Sequence, residues 1–139
     1  MADSPAPPLP KGVKPGDYLL GPEHKKKFKA AMRKWQERLA LHRWRVEFSA
    51  RKTSAMSEVK FTDDACLAAY RIGDNWRAEE PTTESLERTA FHECGHVLLR
   101  RLKTCCAEYG VDHEDTEAAE HEVINTLEKL LFPHVEASE

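Results

Sequence analysis

The chain has 139 residues, 40% of them apolar and 32% charged, with a formal net charge of −3. That length predicts one compact domain able to bury roughly two-thirds of its unfolded surface. No apolar run approaches the roughly 20 residues that span a bilayer, and the start lacks the basic-then-apolar pattern of a secretory signal. The four cysteines show no Cys-x-x-Cys spacing, which argues against a disulfide framework or a zinc ribbon. The near-balanced charge argues against a dedicated nucleic-acid binder, so composition predicts a small cytoplasmic domain.

Met1 to about Asp17 carries five of the eight prolines and few bulky apolar groups to offset the entropy of ordering. It reads as a disordered tail over 1–17, before a folded domain over 18–132 and a flexible end over 133–139. Gly21-Pro22 opens a first helix, because proline in a first turn removes an N–H that would be unpaired anyway. Phe28, Met32, Trp35 and Leu39 give that helix one apolar face, and His24 to Lys27 a solvated one, with a phosphate-binding patch as the alternative. Trp44, Val46 and Phe48 alternate with polar residues as a half-buried strand. Val59 and Phe61 mark a second strand, and Cys66 to Ile72 a third, weakened by its alanine pair. Because each connection is too short for a crossover helix, the sheet is expected to be mainly antiparallel.

Pro81-Thr82-Thr83-Glu84 marks a helix start, a hydroxyl cap followed by an acid in the first turn. The helix is expected to end near Lys103, where Arg100, Arg101 and Lys103 complement its dipole. A polar loop over about 108–115 follows, then a last helix from about Thr116 to Leu131, stopped by Pro133. The order helix, three strands, helix, helix makes the fold α+β.

The central helix contains His92-Glu93-Cys94-Gly95-His96. Residues four apart stack on one helix face, so both imidazoles can reach one ion, and zinc suits imidazole nitrogen. Glu93 lies about 100° round from His92, placed to act as general base on a water activated by the ion. Ala90, Cys94, Val97, Leu98 and Leu102 are expected to rest on the core behind the histidines. Gly95, which costs on the order of 1 kcal/mol relative to alanine in a helix, suggests close approach of another backbone or else is incidental. The cysteines read as small buried hydrophobes.

A catalytic zinc site needs a third protein ligand. Leu99 and Leu102 stand where a metzincin would continue with glycine and histidine, so the ligand is sought in the last helix. Val123, Ile124, Leu127, Leu130 and Leu131 define its apolar face, and extending that face back one turn reaches Glu120. Glu120 is the favoured ligand, with His121 and His113 as alternatives and Glu117 behind them. Tyr109 and His113 fall in the expected loop, where a group supporting the ligands or stabilising an oxyanion could sit.

These features resemble the small phage- and prophage-borne zincin-type metallopeptidases, whose layout is similar to that of SprT-like proteases. The resemblance rests on Trp44-Arg45-Val46-Glu47-Phe48, the Ala-Ala-Tyr-Arg-Ile strand, His-Glu-Cys-Gly-His before Val-Leu-Leu, and Glu120 through Leu131. It covers about Lys25 to Leu131. It implies a zincin-like fold, with an N-terminal helix, small sheet, metal-binding helix and C-terminal helix. It also implies zinc held by His92 and His96, Glu93 as base, and the acid before Val123-Ile124, mapped to Glu120, as third ligand. The zinc-ribbon tail of some SprT-like proteins has no counterpart, so crosslink repair is not carried over.

The expected function is zinc-dependent hydrolysis of peptide bonds in a peptide or protein substrate, inside the bacterial host if the chain is phage-encoded. One rival is a non-catalytic zinc-stabilised regulatory or interaction domain. Another is a nucleic-acid binder using Lys25 to Arg33, disfavoured by the acidic C-terminal half. No membrane partner is expected, and the sequence leaves oligomeric state open.

Overall fold

The computed structural model describes residues 8–135. The elements are α1 (Pro22–Arg38), β1 (Arg45–Phe48), β2 (Ser57–Thr62), β3 (Leu67–Ile72), α2 (Thr83–Glu108) and α3 (His113–Leu131), an α+β arrangement. Pro22 occupies the first turn of α1, and the Gly21 N–H donates to His24 Nδ1 at 2.9 Å. Phe28, Met32 and Trp35 are buried, as their spacing predicts. They meet the core face of α2: the Trp35 and Phe91 rings pack edge-on at 5.0 Å, and the Cys94 thiol donates to the Met32 carbonyl at 3.7 Å.

The sheet corrects the antiparallel expectation for one pair. Its order is β1-β3-β2. β2 runs antiparallel to β3, from Ser57 opposite Ile72 to Thr62 opposite Leu67. β1 runs parallel to β3, from Arg45 opposite Leu67 to Phe48 opposite Tyr70. A parallel pair needs a crossover, and a helix is the usual one. Here β2 itself is the return stroke, lying beyond β3 and closing on it through the short Asp63–Cys66 turn, where Cys66 adopts φ 48°. Ala68, in the central strand, is fully buried. One of the two alanines that weaken this strand on propensity, Ala68, therefore occupies its most enclosed position, where a small side chain fits, while Ala69 is half-buried.

Of the tail expected over 1–17, residues 1–7 lie outside the described residues, as do residues 136–139 of the expected C-terminal end. Gly12 to Leu20 is tied to the segment after β3. Arg77 reaches the Gly12 carbonyl at 2.6 Å, Asn75 donates to Asp17 at 3.0 Å, and Leu19 forms a bridge with Asn75.

α2 begins at its Thr82 cap, which accepts from the Ser85 N–H at 3.1 Å, and runs five residues past Lys103. Cys105 and Cys106 are thus helical. Ala90, Cys94 and Val97 are buried as expected, but Leu98 and Leu102 are 45% and 62% exposed. They sit about 100° and 140° round the helix from Val97, past the edge of the covered stripe. α3 starts at Asp112, whose carboxylate accepts from the Glu114 N–H at 2.8 Å, earlier than the expected Thr116.

The apolar face expected on α3 is mostly uncovered. Ile124 is buried, whereas Val123, Leu127, Leu130 and Leu131 are 37–73% exposed. α3 is rotated to turn Glu120, Ile124 and Glu128, spaced four apart, inward. A Cβ on Gly95 would lie 3.0 Å from Ile124 Cγ1. The glycine therefore marks the close approach of a side chain from α3, not of another backbone. Phe132 closes the chain onto Trp35 and Phe91, with ring centroids 5.9 Å from each. No helix among the described residues is long and apolar enough to cross a membrane.

Candidate metal centre

His92 and His96 project from α2 one turn apart, with ring centroids 4.8 Å apart and Nε2 atoms facing each other at 3.1 Å. His121 comes in from α3, its ring 5.7 Å from that of His92 and 4.9 Å from that of His96. One donor atom from each of the three lies within 4.8 Å of the others, a group that can hold a metal ion.

The outer ring nitrogens are all engaged. His92 Nδ1 lies 2.6 Å from Glu128, His96 Nδ1 lies 3.0 Å from Glu120, and His121 Nδ1 lies 3.0 Å from the Glu117 carbonyl. An oxygen acceptor on Nδ1 fixes the tautomer that leaves Nε2 bare, the usual support of a metal-bound imidazole. The spacing has a geometric cause. The two α2 rings converge at Nε2, so their Nδ1 atoms diverge along the helix. Their partners on antiparallel α3 must then stand wider apart than the histidines do. Glu120 and Glu128 are eight residues apart, about 12 Å of helix, against about 6 Å for the histidines. Ile124 fills the middle against Gly95.

Burial shapes the charges. It holds the His96 imidazole down to about 4, against the pull of Glu120 and with help from His92 and His121. His96 is therefore a neutral donor at neutral pH. His92 is affected in the other sense: burial opposes its charge, but the Glu128 hydrogen bond and the Glu93 and Glu128 carboxylates outweigh that and raise it. Between such rings a proton on His92 can bridge to the bare His96 Nε2, and a cation can take that proton's place.

Glu93 is 5% exposed and accepts from the Ser57 hydroxyl at 2.8 Å. Burial raises its pKa, with the His92 charge and the Ser57 bond opposing. Together with the three histidines it lines a cleft of about 330 Å³, walled by β2 through Ser57, Val59 and Phe61. A smaller recess of about 140 Å³ adjoins it beside Met56, Thr89 and Glu128. Arg100 fixes α2 to the β2–β3 turn through two bonds to Asp63, at 2.9 and 2.7 Å.

The structure thus brings together His92, Glu93, His96 and Glu120, all expected from the motif and its flanks. The side chain that completes the imidazole group is His121, the alternative, while Glu120 stands behind His96 with Lys103 Nζ at 3.4 Å. Tyr109 and His113 are not at the site. With α2 extended, Tyr109 caps its far end, 88% exposed and about 20 Å of helix from His96. His113 opens α3 and pairs with Glu117 at 3.3 Å in solvent. Cys94 faces the core with no exposure, and burial pushes its thiol up to about 12, which removes it as a nucleophile. Sequence reasoning missed Glu128 and Ser57. Glu128 carried one signal, its place two turns beyond Glu120 on the same face; Ser57 carried none. No family model, curated protein or solved structure matches the chain.

Proposed function

We propose that the protein is a zinc-dependent peptidase. The observation that carries this reading is the convergence of three imidazoles, each backed by an oxygen on Nδ1, beside a buried carboxylate. Three imidazole nitrogens suit zinc and leave a fourth position for chemistry. His92, His96 and His121 would hold the ion, with Glu128 and Glu120 orienting the first two. When bound, zinc supplies a Lewis acid that polarises a carbonyl and acidifies water. Glu93 then takes a proton from the attacking water and delivers it to the leaving amine. Ser57 occupies one of its oxygens and leaves the other for the proton, and the raised pKa lets that oxygen carry it. β2 is a sheet edge with its outer side unpaired among the described residues, and it walls the cleft. An extended peptide can add there as a further strand.

One observation favours the non-catalytic reading, in which zinc only stabilises an interaction module: α3 buries a single large apolar side chain, so an ion would hold it in place. Glu93→Gln separates the two. Protein without an affinity tag is loaded with zinc and assayed on fluorescein-labelled casein. The peptidase reading expects one zinc per chain in both forms and at least about a hundredfold loss of turnover in the variant. Undiminished turnover would remove Glu93 as base, and no cleavage by either zinc-loaded form would favour the stabilised module.

A further inference from the structure

The charges of this chain are sharply segregated. Residues 1–62 hold 14 lysines and arginines against six aspartates and glutamates, whereas residues 63–139 hold seven against 18. The near balance of the whole chain is an average over a basic half and an acidic one. In the fold, the basic half supplies most of the lining of a groove of about 350 Å³ between α1, the end of β1, the loop after it and the end of β3. β1 and β2 are opposite edges of the sheet; β1 contributes to this groove and β2 to the metal cleft, and the two share no lining residue.

Lys25, Lys29, Arg51 and Lys52 line the groove, over a floor that includes Phe28 and Phe48. Asp74 is the one carboxylate among the described lining residues, and Lys25 holds it at 2.6 Å. Lys29 and Arg33 lie 5.5 and 5.6 Å from the centre of the Phe48 ring. Lys25, Lys29 and Arg33, four residues apart, thus form a row with steps of about 6 Å along α1. None of the large apolar side chains left exposed among the described residues lies on α1, β1 or residues 49–52. The face therefore lacks the anchors of a membrane-surface helix. A cationic row beside an aromatic ring, along a groove, is the combination that single-stranded nucleic acid requires.

We propose that this groove binds the phosphate backbone of a single-stranded nucleic acid. The site is separate from the metal cleft and does not depend on the peptidase reading. The loop over 49–56 connects the two places, lining the groove at Arg51 and Lys52 and reaching the smaller recess at Met56.

The test is fluorescence anisotropy of the full chain with a fluorescein-labelled 20-mer of oligothymidine. Four cationic contacts predict that affinity falls roughly 50-fold between 50 and 200 mM NaCl. Lys29→Glu, Arg51→Glu and Lys52→Glu together should weaken binding at least tenfold with an unchanged thermal midpoint. The milder pair Lys29→Gln and Lys52→Gln should also weaken it, and serves if the triple variant misfolds. Lys60→Glu, an exposed cation on β2, should leave binding within twofold. No binding up to 100 µM protein at 50 mM NaCl would overturn the proposal, as would unchanged binding by the groove variants. Tighter binding of a 20-base-pair duplex, equal competition by polyglutamate, or binding only to anionic vesicles would overturn the assigned ligand.

Discussion

α1 and α3 look alike as sequences, each a helix with an apolar stripe and many charges, but they are held to the molecule in different ways. α1 buries its stripe, with Phe28, Met32 and Trp35 at 1%, 0% and 8% exposure. α3 leaves most of its stripe in solvent and buries two glutamates around Ile124. The first is held by removal of apolar area from water. The second is held by charge-assisted hydrogen bonds to His92 and His96, where a buried carboxylate without its partner is costly. Packing holds one side of α2, and the chemistry of the proposed site holds the other.

That contrast can be broken by substitution. Phe28→Ala should destabilise the protein by about 3–5 kcal/mol with or without zinc, because it empties a fully enclosed site; denaturant unfolding measures this, and a cost below about 1 kcal/mol would contradict it. Glu128→Ala should lower zinc affinity by about 10–100-fold through loss of the support on His92, as read by competition with a chelating dye. Without metal it should also lower the melting temperature, because the half-buried His92 imidazole loses the partner that ties it to α3. Equal destabilisation of both forms would show Glu128 to be an ordinary packing residue. Leu130→Ala, on the exposed stripe of α3, should change stability by no more than about 0.5 kcal/mol. A larger loss would mean that the stripe is covered in solution.

Much of this was legible before any coordinates. The spacing of Phe28, Met32 and Trp35 is local and periodic, so it named the face of α1 that the structure buries. His92, Glu93 and His96 were legible for the same reason, since one helical turn sets their relation. The sheet order was not, because pairing β1 with β3 across β2 is a choice among distant segments, and short connections do not decide it. The rotation of α3 was misread because apolar area was assumed to choose its face. Two histidine–carboxylate pairs and the Gly95–Ile124 contact choose it instead. That rotation puts Glu120 behind His96 and lets the neighbouring His121 meet the pair.

The third member of the metal group is therefore the most direct test of the account. Zinc affinity should be measured by chelator competition on protein without an affinity tag, for the native chain, His121→Ala and Glu120→Ala. The account predicts one zinc per chain, the larger loss of affinity in His121→Ala, and a smaller loss in Glu120→Ala, which removes only the support on His96. Full affinity in His121→Ala together with collapse in Glu120→Ala would contradict it and make the carboxylate the ligand.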